Sequence, residues 1–418
     1  METGQNGPSS SLATDFIEFR YLMTAFACST FCTRILFFLI PFEIANQFPY
    51  DPLFLGLLGL VQAIPALSLA VVGGHFADRF NRRNLLMCTV TVQVLCAFGL
   101  LLAERYSGGW FLGSVYTIMF FLGVARGFAE PALPSLEAQL VPHTAAMSAA
   151  TWGTLVWHAC AVVAPVLAGT MVAIVGMSAT FATSIVFGVM AWLLLLRIQV
   201  KPIRPHPSHN EPILQSLTAG WRFVAKKQIL WTAMALDLFA VLFGGAVAML
   251  PLFARHVLHI DAVWLGFLNA APYLGALVTA FLCIKYPPKA KAGVKLLVSV
   301  FGFGVSMIVF ALSTSLALSM FALFVAGMLD GLSVVIRKAI LRLYSPDHMR
   351  GRVAAVSSIF VGASNELGEL ESGLAAHYLG LVRSVWMGGI ATLAIVSGVT
   401  VVGRELREFD MEKGNSMN

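Results

Sequence analysis

The sequence predicts an all-α integral membrane protein with twelve transmembrane helices in two pseudo-symmetric six-helix halves. Three observations carry that prediction. Charged residues make up only 11% of the 418-residue chain and hydrophobic ones 58%, whereas a soluble globular domain is about 25% charged. Apolar runs of membrane-crossing length, roughly 20 residues or more, occur twelve times. The glycines and prolines of the second half repeat the spacing of the first.

In order, residues 1–15 are polar and rich in Gly, Pro and Ser. They lack the basic start and cleavage site of a signal peptide and are expected to form a disordered cytoplasmic tail. The first half, 16–197, holds runs at 16–46, 52–77, 84–104, 109–140, 145–174 and 177–197. Residues 198–227 are the one long polar break. Its Lys201-Pro202-Ile203-Arg204-Pro205-His206-Pro207 reads as an extended linker. Leu214 to Lys227 is expected as an amphipathic surface helix anchored by Trp221. The second half, 228–404, holds runs at 228–256, 263–285, 292–314, 315–342, 351–380 and 383–404, and 405–418 form a second cytoplasmic tail.

Charge placement orients these spans. Of the 27 lysines and arginines, Arg105, Arg255 and Arg383 fall on one side, and Arg34 and Arg126 fall inside spans. All others, Arg337 and Lys338 among them, share the opposite side, which the positive-inside tendency makes cytoplasmic. Both termini are then cytoplasmic. The basic excess follows topology, so it implies no nucleic-acid partner.

The halves repeat. A shift of 204 residues pairs Gly123 with Gly327, Gly127 with Gly331, Pro142 with Pro346, Gly169 with Gly373 and Gly176 with Gly380. A shift of 207 pairs Leu58-Gly59 with Leu265-Gly266, Ala63 with Ala270 and Pro65 with Pro272. Glycines and prolines set kinks and close helix contacts, so shared spacing implies shared backbone. Duplicated halves suggest a transporter with a site near the midplane.

The loop between the second and third spans concentrates charge. In Gly74-His75-Phe76-Ala77-Asp78-Arg79-Phe80-Asn81-Arg82-Arg83, Asp78 stands among three arginines. There it can cap a helix N-terminus while ion-pairing, latching one helix pair against another. Topogenic charge alone explains the arginines but not the Gly74/Asp78 spacing. Asn81 is expected to turn the chain in the left-handed region. Arg350 and Arg352 stand at the edge of the eleventh span and join the candidate gate.

Gly74-x-x-x-Asp78-Arg79-x-x-Arg82-Arg83 resembles the loop signature of the major facilitator superfamily. Arg350-Gly351-Arg352-Val353-Ala354-Ala355-Val356 with Gly362-Ala363-Ser364-Asn365-Glu366-Leu367-Gly368-Glu369, and Leu236-Asp237-Leu238-Phe239-Ala240 running to Leu250-Pro251, are much more specific. Together they resemble the bacterial efflux branch that includes enterobactin exporters. The resemblance runs from about Phe16 over nearly the whole chain. It implies proton-driven export of a small organic molecule across a bacterial inner membrane.

Ionisable groups in hydrocarbon are costly and normally face a wet cavity or a partner. They occur as Arg34 in the first span, Arg126 and Glu130 in the fourth, Asp237 in the seventh, Asp330 in the tenth, and Glu366, Glu369 and Glu371 beside Asn365 in the eleventh. The middles of the third, sixth, ninth and twelfth contain none. In the superfamily resembled, those four are outer supports and the charged ones border the cavity. Arg126 and Asp330 are equivalent by the 204 shift, so they either face each other across the pseudo-twofold axis or neutralise local neighbours, Glu130 for Arg126. Glu366 and Glu369 share a helix face, and Glu371 points elsewhere. Asp237, about nine residues or roughly 14 Å into its helix, is the foremost candidate proton carrier. A plain helix–helix hydrogen bond is its competing role.

The six cysteines all lie in spans and read as small buried apolar residues. His206, His209 and Glu211 sit in a Pro-rich loop, a poor metal cage. No P-loop, nucleophile–base pattern or metal-ligand spacing is present, so neither an enzyme nor a cofactor is expected. Three function classes remain: a monomeric secondary exporter of a siderophore-like or drug-like molecule, a lysophospholipid flippase, and a non-transporting receptor or scaffold. The partners expected are substrate, protons and the bilayer.

Overall fold

The structure, a computed structural model, describes residues 12–199, 213–244, 246–346 and 349–411, with side chains at all of these except 71, 78, 143, 213–217, 246 and 350. The linker motif and its histidines, most of both tails, and the side chains of Asp78 and Arg350 lie outside the described set. Every regular element among the described residues is helical.

The first half comprises α1 (Ile17–Gln47), α2 (Pro52–Arg79), α3 (Arg82–Ala103), α4 (Gly109–Leu140), α5 (Ala146–Val175) and α6 (Met177–Leu196). The short α7 (Ile213–Lys226) follows, and its Trp221 stacks on Phe360 with ring centroids 5.4 Å apart. The seventh crossing is broken. α8 (Gln228–Phe243) ends at Gly244, and a 3-10 turn, α9 (Leu250–Phe253) and a π-helical turn at Ala254–Leu258 complete it. Gly244 and Pro251 interrupt what the apolar run alone reads as one helix. Then come α10 (Ala262–Lys285), α11 (Ala292–Leu312), α12 (Leu316–Tyr344), α13 (Arg350–Leu379), α14 (Leu381–Val402) and the terminal α15 (Arg404–Arg407).

Among the described residues, eleven segments are long and apolar enough to cross a membrane. The twelfth crossing is α13, whose 30 residues suffice in length but carry Glu366, Glu369 and Glu371. The chain is therefore a multi-pass membrane protein. Cys88 is exposed and Cys283 half-buried, so these two depart from the buried role expected of all six cysteines.

Caps follow from sequence. Pro52 opens α2 with its preset φ. Asp261 caps α10 by accepting from the Trp264 amide at 3.1 Å. Asn81 does the same for α3, accepting from the Asn84 amide at 3.3 Å, and its φ of −65° is extended rather than left-handed. A capping bond, not turn strain, selects Asn there. Gly176 and Gly380 turn α5 into α6 and α13 into α14 at φ of 87° and 89°, which a side chain tolerates poorly.

Packing shows the repeat directly. Gly123 of α4 lies on Pro65 of α2, and Gly327 of α12 lies on Pro272 of α10. One turn on, Gly127 meets Leu69 and Gly331 meets Ala276. Each contact maps onto the other by the shifts that pair the sequence.

The halves meet along two seams, α2 with α13 and α5 with α10. A Cβ on Gly56 would lie 2.8 Å from the Gly373 Cα, and one on Gly266 would lie 3.0 Å from the Val166 Cα. At the end of the bundle holding the 48–51 and 313–315 loops, one apolar core runs through both halves, including Ile40, Leu55, Phe111, Phe253, Leu268 and Phe310. Arg255 donates to Asn46 Oδ1 at 2.9 Å, and the His256 ring bonds the Pro49 carbonyl at 2.8 Å across that end. At the opposite end the core splits. Phe19, Leu136 and Leu195 belong to the first half's cluster, and Ile229, Leu296 and Ile340 to the second's. The bundle is closed at one end and parted at the other.

Candidate transport cavity

Two arginine-centred clusters sit where the halves part. In the first, α4 presents Arg126 and Glu130 one turn apart, with Nε 2.7 Å from Glu130 Oε1. The same guanidinium reaches α13, with Nη1 2.6 Å from Glu366 Oε1. A planar fork suits two carboxylates at once. Glu366 is buried and Glu130 open, so the cross-half bond is the drier of the two. The second cluster lies within the second half. Arg337 of α12 is buried and ion-pairs with Asp237 of α8, while Asp330 Oδ1 stands 3.9 Å away. Arg337 and Asp330 are seven residues apart, hence on one helix face.

These contacts decide between the two readings of Arg126, in favour of Glu130 as its local partner, and correct two other expectations. Arg126 and Asp330 do not face each other: Arg126 is taken by Glu130 and Glu366, and Asp330 lies by Arg337. Asp237 is not isolated, because Arg337 neutralises it. Arg337 itself does not serve as loop charge, being buried in α12. A buried pair of this kind is costly to break, since one charge is left without water or partner.

A cavity of about 270 Å³ adjoins the second cluster. Asp237, Asp330, Ser333, Asn365 and Glu369 give it polar groups, and Phe303 and Tyr273 form part of its wall. Glu369 differs from the other carboxylates. Among the described residues it has no ion-pair or hydrogen-bond partner, and it lies against α2, where a Cβ on Gly59 would fall 2.9 Å from its own Cβ. Glu371 faces away, into an outer groove with Leu367, Leu374 and Tyr378.

Arg34 lies at the other seam. Its Nη1 donates to the Tyr273 hydroxyl at 3.1 Å, and its guanidinium stands 4.8 Å from the Trp157 ring centroid and 5.1 Å from that of Tyr273. Sequence reading found Arg34 but missed Trp157 and Tyr273, aromatic residues with no distinguishing pattern.

The gate arginines bind carbonyls inside the first half. Arg82 donates to the Ala77 carbonyl at 3.0 Å and the Ser135 carbonyl at 3.3 Å. Arg83 donates to the Leu195 and Leu196 carbonyls at 2.9 and 3.2 Å, capping the negative end of α6. Arg79 is exposed, and Arg352 lies beside the Met349 sulfur. Gly74 faces open space, with nothing within 4 Å of where its Cβ would be.

Comparison with known proteins gives a consistent picture. The Major Facilitator Superfamily sequence profile matches residues 22–369. The enterobactin exporter EntS of Escherichia coli O81 (strain ED1a) is 25% identical over 344 residues, 81% of this chain and 80% of the relative. Among solved structures, a bacterial homologue of the human lysosomal transporter Spinster, inward-facing and unoccupied, superposes with a TM-score of 0.71 at 15% identity, covering 94% of this chain and 96% of that one. A POT family transporter bound to a thioalcohol-conjugated peptide gives 0.74 at 12% identity, covering 95% and 99%. These structural likenesses concern the fold.

Proposed function

The chain belongs to the major facilitator superfamily, and on that premise we propose that it is a secondary exporter of a small organic molecule, siderophore-like or drug-like. It works by alternating access coupled to proton antiport, as a monomer in a bacterial inner membrane with both termini cytoplasmic. One observation supports this most. The bundle is closed at one end by a core shared between the halves and parted at the other, beside a cavity that the second half lines with Asp237, Asp330 and Glu369. With the orientation drawn from charge placement, the parted end faces the cytoplasm, where an exporter loads.

The Gly74–Arg83 loop, with Asp78, Arg350 and Arg352, is the gate of the parted end. The open space at Gly74 leaves room for α13 to approach. The cross-half Arg126–Glu366 bond is an interaction that rearranges when the halves rock.

The proton belongs on Glu369 rather than Asp237. Asp237 has a permanent counter-ion in Arg337. An unpaired carboxylate that leaves water must take up a proton or find a cation. Glu369 sits on the α2 seam that opens when the molecule faces outward, so water reaches it in one state and not in the other. Its neighbours are Gly59 on α2 and Glu366 on α13, it shares the cavity with Asp237 of α8, and Arg126 is already engaged by its two carboxylates.

Metabolite profiling of cells and medium with and without the gene tests the reading. Export predicts a compound depleted from the medium and retained in cells when the gene is absent, and an unchanged medium rejects it. The flippase reading draws on the outer groove between α8 and α13, lined by Leu242, Leu367 and Leu374. It predicts lysophospholipid movement in liposomes instead.

A further inference from the structure

Arg34 is an unusual cation for this depth. It lies in the middle of α1, yet among the described residues its contacts are the Tyr273 hydroxyl and two aromatic faces, with no carboxylate. The nearby carboxylates are committed elsewhere: Glu130 and Glu366 to Arg126, and the cavity's own Asp237 and Asp330 to Arg337. Glu369 lies on the opposite seam, against α2. His158, next to Trp157, is within Coulombic reach of both Arg34 and Lys338. Its Nδ1 is buried without a hydrogen-bond partner. Lys338 is exposed and among the described residues has no anionic partner.

Arg34, His158 and Lys338, from α1, α5 and α12, thus lie within electrostatic reach of His158, and among the described residues none of them is paired with an acid. Stacking on Trp157 and Tyr273 holds the Arg34 guanidinium in place without using up its charge. A cation kept in hydrocarbon without a counter-ion is costly, and that cost is recovered when an anion arrives. Tyr273 also walls the 270 Å³ cavity, and the apolar Phe303, Met307 and Leu323 form another part of it. Through Tyr273 a fixed cation, Arg34, thus stands beside the cavity, behind its wall, next to an apolar stretch of that wall.

We propose that Arg34, assisted by Lys338 and His158, is the anion-binding subsite of this cavity, and that the exported molecule is an organic acid carrying its negative group on an apolar or aromatic frame. This deepens the export reading and rests on it for the direction of transport, but not for binding.

The test uses full-length protein in lipid nanodiscs and three matched probes: 1-naphthoate, 1-naphthamide and 1-naphthylmethylamine. The proposal predicts that the acid binds about tenfold more tightly than the amide, the range of one charge-assisted contact, and that the amine does not bind. Arg34→Gln should erase the preference for acid over amide. Lys338→Gln, at an exposed side chain, should weaken it by about threefold. Tyr273→Phe removes the hydroxyl that fixes Arg34 and carries the test if Arg34→Gln does not fold. Equal binding of acid and amide, preference for the amine, binding of none of the three, or an acid preference surviving in all three variants overturns the proposal. Flux in proteoliposomes separates the two claims. Arg34-dependent binding of 1-naphthoate without movement leaves the subsite standing and rejects export. Movement with an unchanged KM in Arg34→Gln does the reverse.

Discussion

At the α2/α13 seam Gly56 lies on Gly373, and Gly59 on Glu369; at the α5/α10 seam Ala262 lies on Gly169, and Gly266 on Pro165. By the shifts that pair the halves, Gly59/Glu369 and Gly266/Pro165 are the same contact, and Gly56/Gly373 and Ala262/Gly169 agree to within one residue. Where one seam places Pro165, the other places Glu369. Glu369 is therefore not required for the docking, since a residue with no charge serves the equivalent contact. The α5/α10 seam departs in the opposite sense, with Arg34 held by Trp157 and Tyr273 and no acid beside it. Duplication supplies the packing, and the residues that break the symmetry carry the chemistry. One seam holds a carboxylate without a cation, the other a cation without a carboxylate.

Shared packing implies that bulk at either seam harms the molecule alike. Gly373→Leu is predicted to abolish transport, because even a Cβ there would lie 2.6 Å from the Gly56 Cα and the closed end cannot form. Gly169→Leu should do the same at the other seam. Transport assays alongside membrane abundance check this. Normal flux in one variant and none in the other would mean that the seams are not equivalent.

Separating Asp237 from the seam chemistry gives a smaller effect, in stability. Arg337→Gln leaves Asp237 buried without a partner, a loss of about 3–5 kcal/mol for a broken buried pair. Thermal unfolding in detergent should show it, and Asp237→Asn combined with Arg337→Gln should restore most of the loss. A double variant as unstable as Arg337→Gln would assign Arg337 another partner.

The smallest effect is expected at Arg83, which ties α3 to the end of α6 within one half. Arg83→Gln should cost about 1 kcal/mol with transport near normal. A large transport defect at unchanged stability would mean that Arg83 moves with the gate instead of only anchoring it to α6.

The twelve crossings and the paired halves were legible because run length, Gly and Pro are backbone properties that the sequence prints directly. The partners of the charges were not. Arg337, near Lys338 and Arg342, has the look of a loop cation until α12 is seen to carry it inward. Arg126 and Asp330 are equivalent by repeat, but equivalence places two residues in matching positions without making them touch. Glu366 takes Arg126 instead because α13 brings it across at 2.6 Å. Trp157 and Tyr273 carry no pattern that distinguishes them from other membrane aromatics.

The claim that unlike seams divide the work is tested most directly in proteoliposomes with an imposed pH gradient, comparing Glu369→Gln with Asp237→Asn. Substrate identified by profiling is loaded on one side, and both gradient-driven accumulation and gradient-free exchange are followed. The account predicts that Glu369→Gln keeps exchange and loses accumulation, while Asp237→Asn keeps accumulation in whatever protein remains folded. Undiminished accumulation by Glu369→Gln would contradict it.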